Sequence, residues 1–334
     1  MKKILLAALI PLLGLTLHAQ PFYLPTANHA LFEPGGEERF FVGATGKPWT
    51  TGGFGCVRSG GWQIHEGLDI KCLDRDRHNE PADPVLAAAD GVVAYVNKNP
   101  ALSNYGRYIV LRHIVDGIEV YSLYAHLSEP RAGLRPGLAV HRGEQIAVMG
   151  RTSNTHERIS KERAHVHFEL NLFYSEHFDS WFKRRNPTER NDHGLWNGQN
   201  LVGFDPRLVL LAERDQGARF KLLDFLQHRP ELCRVQVRKA DFPWVRRYPM
   251  LVKHNAASAS GRVAGYEVAL DFNGLPFELV PLAASELKGR GQYELLSVND
   301  AEETKNPGRR LVKRHGSGWE LAPAGMSLLE LLTD

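Results

Sequence analysis

Apolar and polar residues alternate strictly along RAHVHFELNLF, residues 163–173. One set of alternate positions is apolar: Val166, Phe168, Leu170 and Leu172. The other set is polar: His165, His167, Glu169 and Asn171. Because successive side chains of a β-strand point to opposite faces, this period of two predicts a half-buried strand with two neighbouring histidines on one face.

Short β-like runs separated by turn signals continue through residues 51–205. They include PVLAAADGVVAYV, GRYIVLRHIVDGIEVYSLYAHL with its DG turn, and GLAVHRGEQIAVMG. No long helical period interrupts them, and residues 174–200 are expected to form a long polar and aromatic loop. We therefore predict an all-β domain over 51–205, preceded by an irregular Pro/Gly-rich segment at 20–50.

The pattern changes after residue 205. LVLLAERDQGARFKLLDFLQHRPEL has the spacing of a helix, and the runs CRVQVRK, GYEVALDF and GWELAP are strand-like. MSLLELL ends the chain with a further short helical pattern. Residues 206–334 are thus predicted to form a second, smaller α+β module of unassigned role.

The first 19 residues carry two lysines, then an apolar run broken by Pro11, then Ala19. This layout is typical of a secretory signal peptide, so we expect export to the periplasm or cell envelope, with no stable membrane anchor after its removal. The net charge of the 334 residues is +3 and no Lys/Arg block stands out, which argues against a nucleic-acid partner.

The cysteines and most histidines have ordinary structural explanations. Cys56 and Cys72 either pair in an oxidising compartment or are two small buried thiols, and Cys233 is expected in the core. His113 is expected to be packed or hydrogen-bonded in a sheet. Six histidines in polar surroundings are expected at the surface: His78, His141, His156, His228, His254 and His315.

Two other segments carry residues that can meet the histidine pair. In HEGLD, the Cα atoms of His65 and Asp69 would be about 13 Å apart in an extended strand, too far for one zinc ion. We therefore predict a bend at Gly67 that lets them converge. Cys72 has the opposite parity to Asp69, which argues against a thiolate ligand. YSLYAHLSE ends a strand-like run at His126.

Imidazole and carboxylate ligands without thiolate suit a catalytic zinc ion, whose three protein ligands leave a fourth position for water. Residues i and i+2 of a strand lie roughly 6–7 Å apart on one face, so two imidazoles can reach one ion and its water. Further histidines near that water can accept its proton and stabilise an oxyanion. The pattern predicts one Zn²⁺ ion.

In this order along the chain, HEGLD, YAHL and HVHFEL resemble the lysostaphin-type (LytM-like) zinc metalloendopeptidases of bacterial cell walls. The resemblance extends to FGCVR, PVLAAADGVVAYV and GLAVHRGEQIAVMGRT, and covers roughly residues 53–172. It implies a compact antiparallel β-fold with an open groove. It also implies the peptide stems that cross-link peptidoglycan as substrate, with a D-Ala to diaminopimelate bond as the default and a glycine bridge as the alternative.

The same resemblance implies residue roles. His65, Asp69 and His167 would be the zinc ligands, and His126 and His165 the catalytic histidines around the water. Two other interpretations stay open at this point. One is a non-catalytic scaffold that regulates another wall hydrolase, and the other is an enzyme held latent by TANHALFEPGG, with Asn28 or His29 capping the zinc.

The chain departs from the family in RTSNTHERISKERA, residues 151–164, where family members usually have a short Gly-rich turn. We expect this segment to rim the groove. Glu169 either orients a ligand histidine or faces water, and Tyr124 is either core or groove wall. Arg58 and Asn104 are candidate substrate contacts.

Overall fold

The computed structural model describes residues 21–58, 63–155 and 158–334. The predicted signal peptide at 1–19 and the surface position expected for His156 lie outside these described residues. The other five histidines expected at the surface are exposed. Within the described residues, no helix is long and apolar enough to cross a membrane.

The described residues contain both helices and strands, numbered here in chain order. The helices are α1 Glu37–Phe40, α2 Phe178–Arg185, α3 Pro206–Gln216, α4 Leu222–Gln227, α5 Pro243–Arg247, α6 Ala256–Ala259, α7 Asp300–Lys305 and α8 Pro323–Thr333. The strands are β1 Val57–Arg58, β2 Gln63–Ile64, β3 Leu68–Lys71, β4 Pro84–Leu86, β5 Gly91–Asn97, β6 Tyr108–Val115, β7 Ile118–Ala125, β8 Glu129–Pro130, β9 Ala139–Val140, β10 Gln145–Val148, β11 His165–Phe173, β12 Leu201–Phe204, β13 Cys233–Val237, β14 Val263–Leu270, β15 Pro276–Ala283, β16 Tyr293–Val298, β17 Val312–His315 and β18 Gly318–Leu321.

Two larger sheets dominate the described part of the chain. The main sheet has the order β12-β11-β7-β6-β5-β9, with β3 also paired to β11, and the C-terminal sheet has the order β15-β14-β13-β16. Smaller sheets join β4-β10-β8, β1-β2 and β17-β18. Every pairing between these strands is antiparallel. The predicted antiparallel β-structure with a smaller α+β module is confirmed.

Strand β11 is buried on both faces, so its prediction as half-buried is wrong. Its apolar face enters the main core through residues such as Phe168. Its other face is covered from the 174–200 segment, where Trp196 packs on Phe173 with ring centroids 5.7 Å apart. That segment is not simply a loop, because it contains α2, which buries Trp181 against the main core.

The described part of the N-terminal segment, residues 21–50, contains more regular structure than predicted. It contains α1 and short 3₁₀ turns at Ala30–Phe32 and Trp49–Gly52. Phe40 is fully buried, and Phe41 forms a β-bridge with Ile70. Apolar burial therefore fixes a segment whose Pro/Gly content predicted irregular chain.

One large cluster of buried side chains runs from Phe22 to Leu332 and contains residues of both main and C-terminal sheets. In the C-terminal region the predicted helices and the three strand-like runs are present, but β15 and β16 were not predicted. The domain boundaries after residues 50 and 205 stay a prediction.

The thiols are free in the structure, including Cys56 and Cys72. Cys72 is buried and donates to a carboxylate oxygen of Asp83 at 3.0 Å. Burial raises the pKa of the Cys72 thiol to about 12. Cys233 is fully buried, as expected for a core thiol.

Candidate metal site and groove

The predicted bend at Gly67 is confirmed. Strand β2 ends before His65 and β3 begins after Gly67, and a Cβ atom at Gly67 would lie 2.3 Å from the carbonyl oxygen of Phe168. Only glycine lets the chain approach β11 this closely. The turn brings His65 Nε2 to 3.0 Å from Asp69 Oδ1.

Strand pairing brings His167 to the same place. His167 lies directly opposite Asp69 of β3, and opposite Ala125 of β7 on its other side. Its Nδ1 atom is 2.9 Å from His65 Nε2 and 3.0 Å from Asp69 Oδ1. One ligand atom from each of the three residues lies within 4.8 Å of the others, so this buried cluster can hold a metal ion.

The remaining ring nitrogens fix which atoms face this point. His65 Nδ1 donates to the carbonyl oxygen of Gly53 at 2.9 Å, and His167 Nε2 donates to Glu169 Oε1 at 2.8 Å. In the neutral imidazoles, His65 Nε2 and His167 Nδ1 therefore carry lone pairs rather than hydrogens. Two lone pairs and a carboxylate oxygen turned toward one another fit a cation, and Glu169 orients the His167 ring rather than facing water.

Electrostatics favour positive charge at this point. Burial lowers the pKa of His65 to about 4, and Asp69 only partly opposes this. Burial also opposes protonation of His167, but the hydrogen bonds to Asp69 and Glu169 outweigh it and raise the pKa of His167 to about 10. Burial would raise the pKa of Asp69, yet the surrounding histidines hold it well below its usual range. A metal ion bound here would displace a proton.

His126 and His165 lie beside the cluster. Their ring centroids are 4.8 Å apart, and His165 Nε2 is 3.4 Å from Asp69 Oδ1. His126 Nδ1 donates to the carbonyl oxygen of Thr152 at 2.9 Å, and His165 Nδ1 donates to that of Arg163 at 2.6 Å. In each neutral ring Nε2 is consequently the proton-accepting nitrogen. Burial lowers the pKa of both imidazoles.

The backbone of His126 is unusual. Its φ angle is +61°, a left-handed conformation that is rare outside glycine and is found at constrained functional positions. Its N–H donates to the carbonyl oxygen of Tyr105 at 2.9 Å, which holds this conformation at the end of β7. The sequence pattern gave no sign of it.

An open groove of about 670 Å³ is lined by the four histidines and the aspartate: His65, Asp69, His126, His165 and His167. The described part of 151–164 rims it through Ser153, Thr155, Ile159 and Arg163, as expected. Both predicted substrate contacts, Arg58 and Asn104, also line the groove, but Arg58 donates to Asp69 Oδ2 at 2.8 Å.

Tyr105 is a groove residue that the sequence patterns did not single out. Its hydroxyl donates to Glu169 Oε1 at 2.7 Å, so it supports the carboxylate that holds His167. The adjacent Gly106 has a φ angle of +61°, and a Cβ atom there would lie 2.3 Å from the carbonyl oxygen of Thr152, but the sequence alone gave no sign of the contact between Tyr105 and Glu169. Tyr124 instead lies in the core, where its hydroxyl accepts from the N–H of Ala88.

The proposed cap on the metal by Asn28 or His29 is wrong. The Asn28 amide is buried and donates to the carbonyl oxygens of Arg39 and Lys71. Neither residue is among the described residues that line the groove. The 20–50 segment contributes Ala44, Thr45 and Lys47 to the groove instead. As expected, His113 is buried in the sheet and bonds Asp90 O and Ser122 Oγ.

A His-Asp-His cluster with two further imidazoles in a groove can hold a metal ion next to proton-accepting groups, an arrangement that suits metal-assisted hydrolysis. Residues 63–179, about a third of the chain, match the model of Peptidase family M23. Residues 63–179 are thus similar to this family of peptidases, which agrees with the LytM-like, lysostaphin-type resemblance of the sequence motifs. A search of curated proteins found no match.

Solved structures similar to the chain include a zinc-containing peptidase from Vibrio cholerae, 29% identical over 32% of this chain and 26% of that chain, with a TM-score of 0.24. A putative glycyl-glycine endopeptidase LytM from Ruminococcus gnavus is 24% identical over 44% and 45% of the two chains, TM-score 0.28. The catalytic domain of lysostaphin from Staphylococcus simulans is 24% identical over 35% and 75%, TM-score 0.27. The similar region thus spans about a quarter of the Vibrio cholerae chain and less than half of the Ruminococcus gnavus chain.

Proposed function

We propose that this protein is an exported zinc metalloendopeptidase that hydrolyses peptide cross-links of peptidoglycan. The observation that carries the proposal is the convergence of His65 Nε2, His167 Nδ1 and an Asp69 oxygen within 4.8 Å at an open groove. The M23 match over residues 63–179 supports a peptidase, and the ordered motifs of the resemblance support a cell-wall substrate. Export rests on the signal-like first 19 residues.

In this proposal His65, Asp69 and His167 hold one zinc ion. A bound zinc ion would polarise the scissile carbonyl and lower the pKa of water. His126 and His165 each present Nε2 as a proton acceptor, because their Nδ1 atoms donate to backbone carbonyls. One of them takes the proton from the attacking water at its Nε2 atom, and the N–H formed there can then donate to the developing oxyanion.

The test is to incubate the purified protein with cross-linked peptidoglycan, with and without a zinc chelator, and to separate the muropeptides by chromatography and mass. We expect chelator-sensitive conversion of cross-linked dimers to monomers, with fragment masses that identify the bond. Readdition of zinc restores the conversion. Unchanged dimers in a sample that holds zinc would favour a regulator of another hydrolase instead.

Two variants separate the roles. His167→Ala removes a ligand and should lose zinc and activity together. His165→Ala should keep zinc and lose activity by about 10²–10⁴-fold, the usual contribution of a positioned acid–base group. Hydrolysis by His167→Ala at the wild-type rate would show that the ligand assignment is wrong.

A further inference from the structure

His65 is held mainly by the segment 53–56. Its Nδ1 donates to the carbonyl oxygen of Gly53 at 2.9 Å, and its own carbonyl oxygen accepts from the N–H of Gly55 at 2.8 Å. Its N–H donates to the carbonyl oxygen of Cys56 at 2.8 Å. The orientation of the imidazole therefore depends on where this segment lies.

A side chain of the C-terminal region lies against this same segment. The ring of Phe272 meets that of Phe54 edge-on, with centroids 6.0 Å apart. Gly55 has a φ angle of +78°, and a Cβ atom there would lie 3.2 Å from Phe272 Cζ. The aromatic ring is thus in contact with the backbone that fixes His65.

The turn that presents Phe272 is itself firmly held. Asp271 is fully buried, and its Oδ1 accepts from the N–H groups of Asn273 and Leu275, both at 2.9 Å. Its Oδ2 accepts from Arg229 Nη2 at 2.9 Å. Asn273 Nδ2 then donates to the carbonyl oxygen of Gly203 in β12 at 2.8 Å, which ties the turn to the main sheet.

A second contact reaches the chain just before His65. Gly308 follows α7, and a Cβ atom there would come within 2.3 Å of Ile64 Cγ2 and 3.2 Å of Val57 Cγ2. The C-terminal region therefore touches both described strands of the β1–β2 pair as well as the segment 53–56.

We propose that the turn between β14 and β15, residues 271–275, is a positioning element of the metal site, with Phe272 as its key residue. This deepens the proposed function, because it takes His65 as a zinc ligand. Removing the ring would leave space above Gly55. The carbonyl oxygen of Gly53, which accepts from His65 Nδ1, would then be free to move. Ligand geometry is most precise when rigid neighbours support it, and the partner that orients a ligand histidine is worth about 10–100-fold in metal affinity.

The test uses the full-length variant Phe272→Ala. Zinc affinity is measured by competition with a chromophoric chelator, and hydrogen exchange is followed at the amides of Gly55 and His65. We expect about tenfold weaker zinc binding and faster exchange at these two amides, with a lower kcat at saturating substrate. Phe272→Leu, which keeps an apolar contact, should recover most of the affinity and also serves where the alanine variant fails to fold.

Phe242→Ala is the matched control. Phe242 also meets an aromatic partner edge-on, Tyr266 at 5.6 Å, but within the C-terminal region. It should lower stability and leave zinc affinity unchanged. Wild-type affinity and wild-type exchange in Phe272→Ala, or an equal loss of affinity in Phe242→Ala, would overturn the proposal. A wild-type protein that binds no zinc would instead overturn the proposed function, and the exchange measurement, which needs no metal, still decides the role of Phe272.

Discussion

Strand β11 of the main sheet and strand β13 of the C-terminal sheet each lie between antiparallel neighbours, and both are deeply buried. Their buried polar groups differ. Gln236 of β13 donates to the carbonyl oxygen of Lys288 at 2.8 Å and accepts from its N–H at 2.7 Å, so the chain satisfies it internally. On β11, His167 turns a ring nitrogen toward His65 and Asp69. The buried amide of β13 is thus satisfied by the chain itself, whereas β11 contributes to a set of groups that can bind a cation.

Two buried carboxyl groups repeat this contrast. Asp69 is surrounded by imidazoles that hold its pKa well below the usual range despite burial. Glu213 of α3 accepts from the N–H of Phe22 at 2.9 Å, and burial raises its pKa to about 8. The same burial therefore accompanies an anion at the candidate metal site and an uncharged acid at Glu213.

The largest expected effect is that zinc bound at the main sheet stabilises the folded protein. Free zinc at about 1,000 times its dissociation constant should raise the free energy of unfolding by about 4 kcal/mol, since only the folded state assembles the site. The measurement is denaturant unfolding of chelator-treated protein with and without added zinc. His167→Ala should lose this increment, and an equal increment in that variant would contradict the site.

Truncation in the C-terminal sheet should act on stability alone. Leu279 of β15 is fully buried, so Leu279→Ala should lower the free energy of unfolding by about 3 kcal/mol through lost burial and a cavity. Zinc affinity of the folded variant, measured by chelator competition, should match the wild type. A loss of zinc affinity as large as that of His167→Ala would contradict the expectation that burial in the C-terminal sheet does not determine metal binding.

Glu169→Gln should, unlike Leu279→Ala, change zinc affinity. The glutamine keeps an oxygen for His167 Nε2 but removes the negative charge, so zinc affinity should fall by about 10–100-fold. The same chelator competition measures it. Glu213→Gln makes the identical chemical change outside the site and should leave zinc affinity unaltered.

The smallest expected effect concerns Glu213 and pH. Its raised pKa means that folding favours the protonated acid, so its contribution to stability is present below about pH 4.5 and is lost as pH rises through about 8. Between pH 6 and 8 the loss is about 2 kcal/mol, at about 1.4 kcal/mol per pH unit where only the unfolded state has ionised. Unfolding curves at both pH values should show a weaker pH dependence for Glu213→Gln than for wild type, and equal slopes would refute this.

The local part of the site was predictable from the sequence because it depends on short-range rules. Alternation placed His165 and His167 on one face of β11, and the reach of a zinc ligand required the bend at Gly67. Long-range contacts were not predictable this way. Tyr105 meets Glu169 only through the tertiary fold, and Phe272 meets Phe54 across more than 200 residues.

The missed strands also have a physical reason. Strand β15 contains Pro276 and Pro281, which argue against a strand in a sequence pattern, yet it lies at the edge of its sheet, where a missing N–H is tolerated. Strand β16 is the other edge strand and is only half-buried, so its hydrophobic period is weak. Helix α2 is eight residues long, too short for its period to stand out.

Because the buried cluster runs from Phe22 to Leu332, the region that matches the M23 model is a poor candidate for transfer into another chain. Cutting the chain after residue 205 would strip Tyr248 from the N–H of Phe173 and Gly274 from the hydroxyl of Tyr174, both buried hydrogen bonds. A graft of this region onto another chain would need a new cover for those groups. In this protein the region similar to M23 peptidases shares one core with the rest of the described chain.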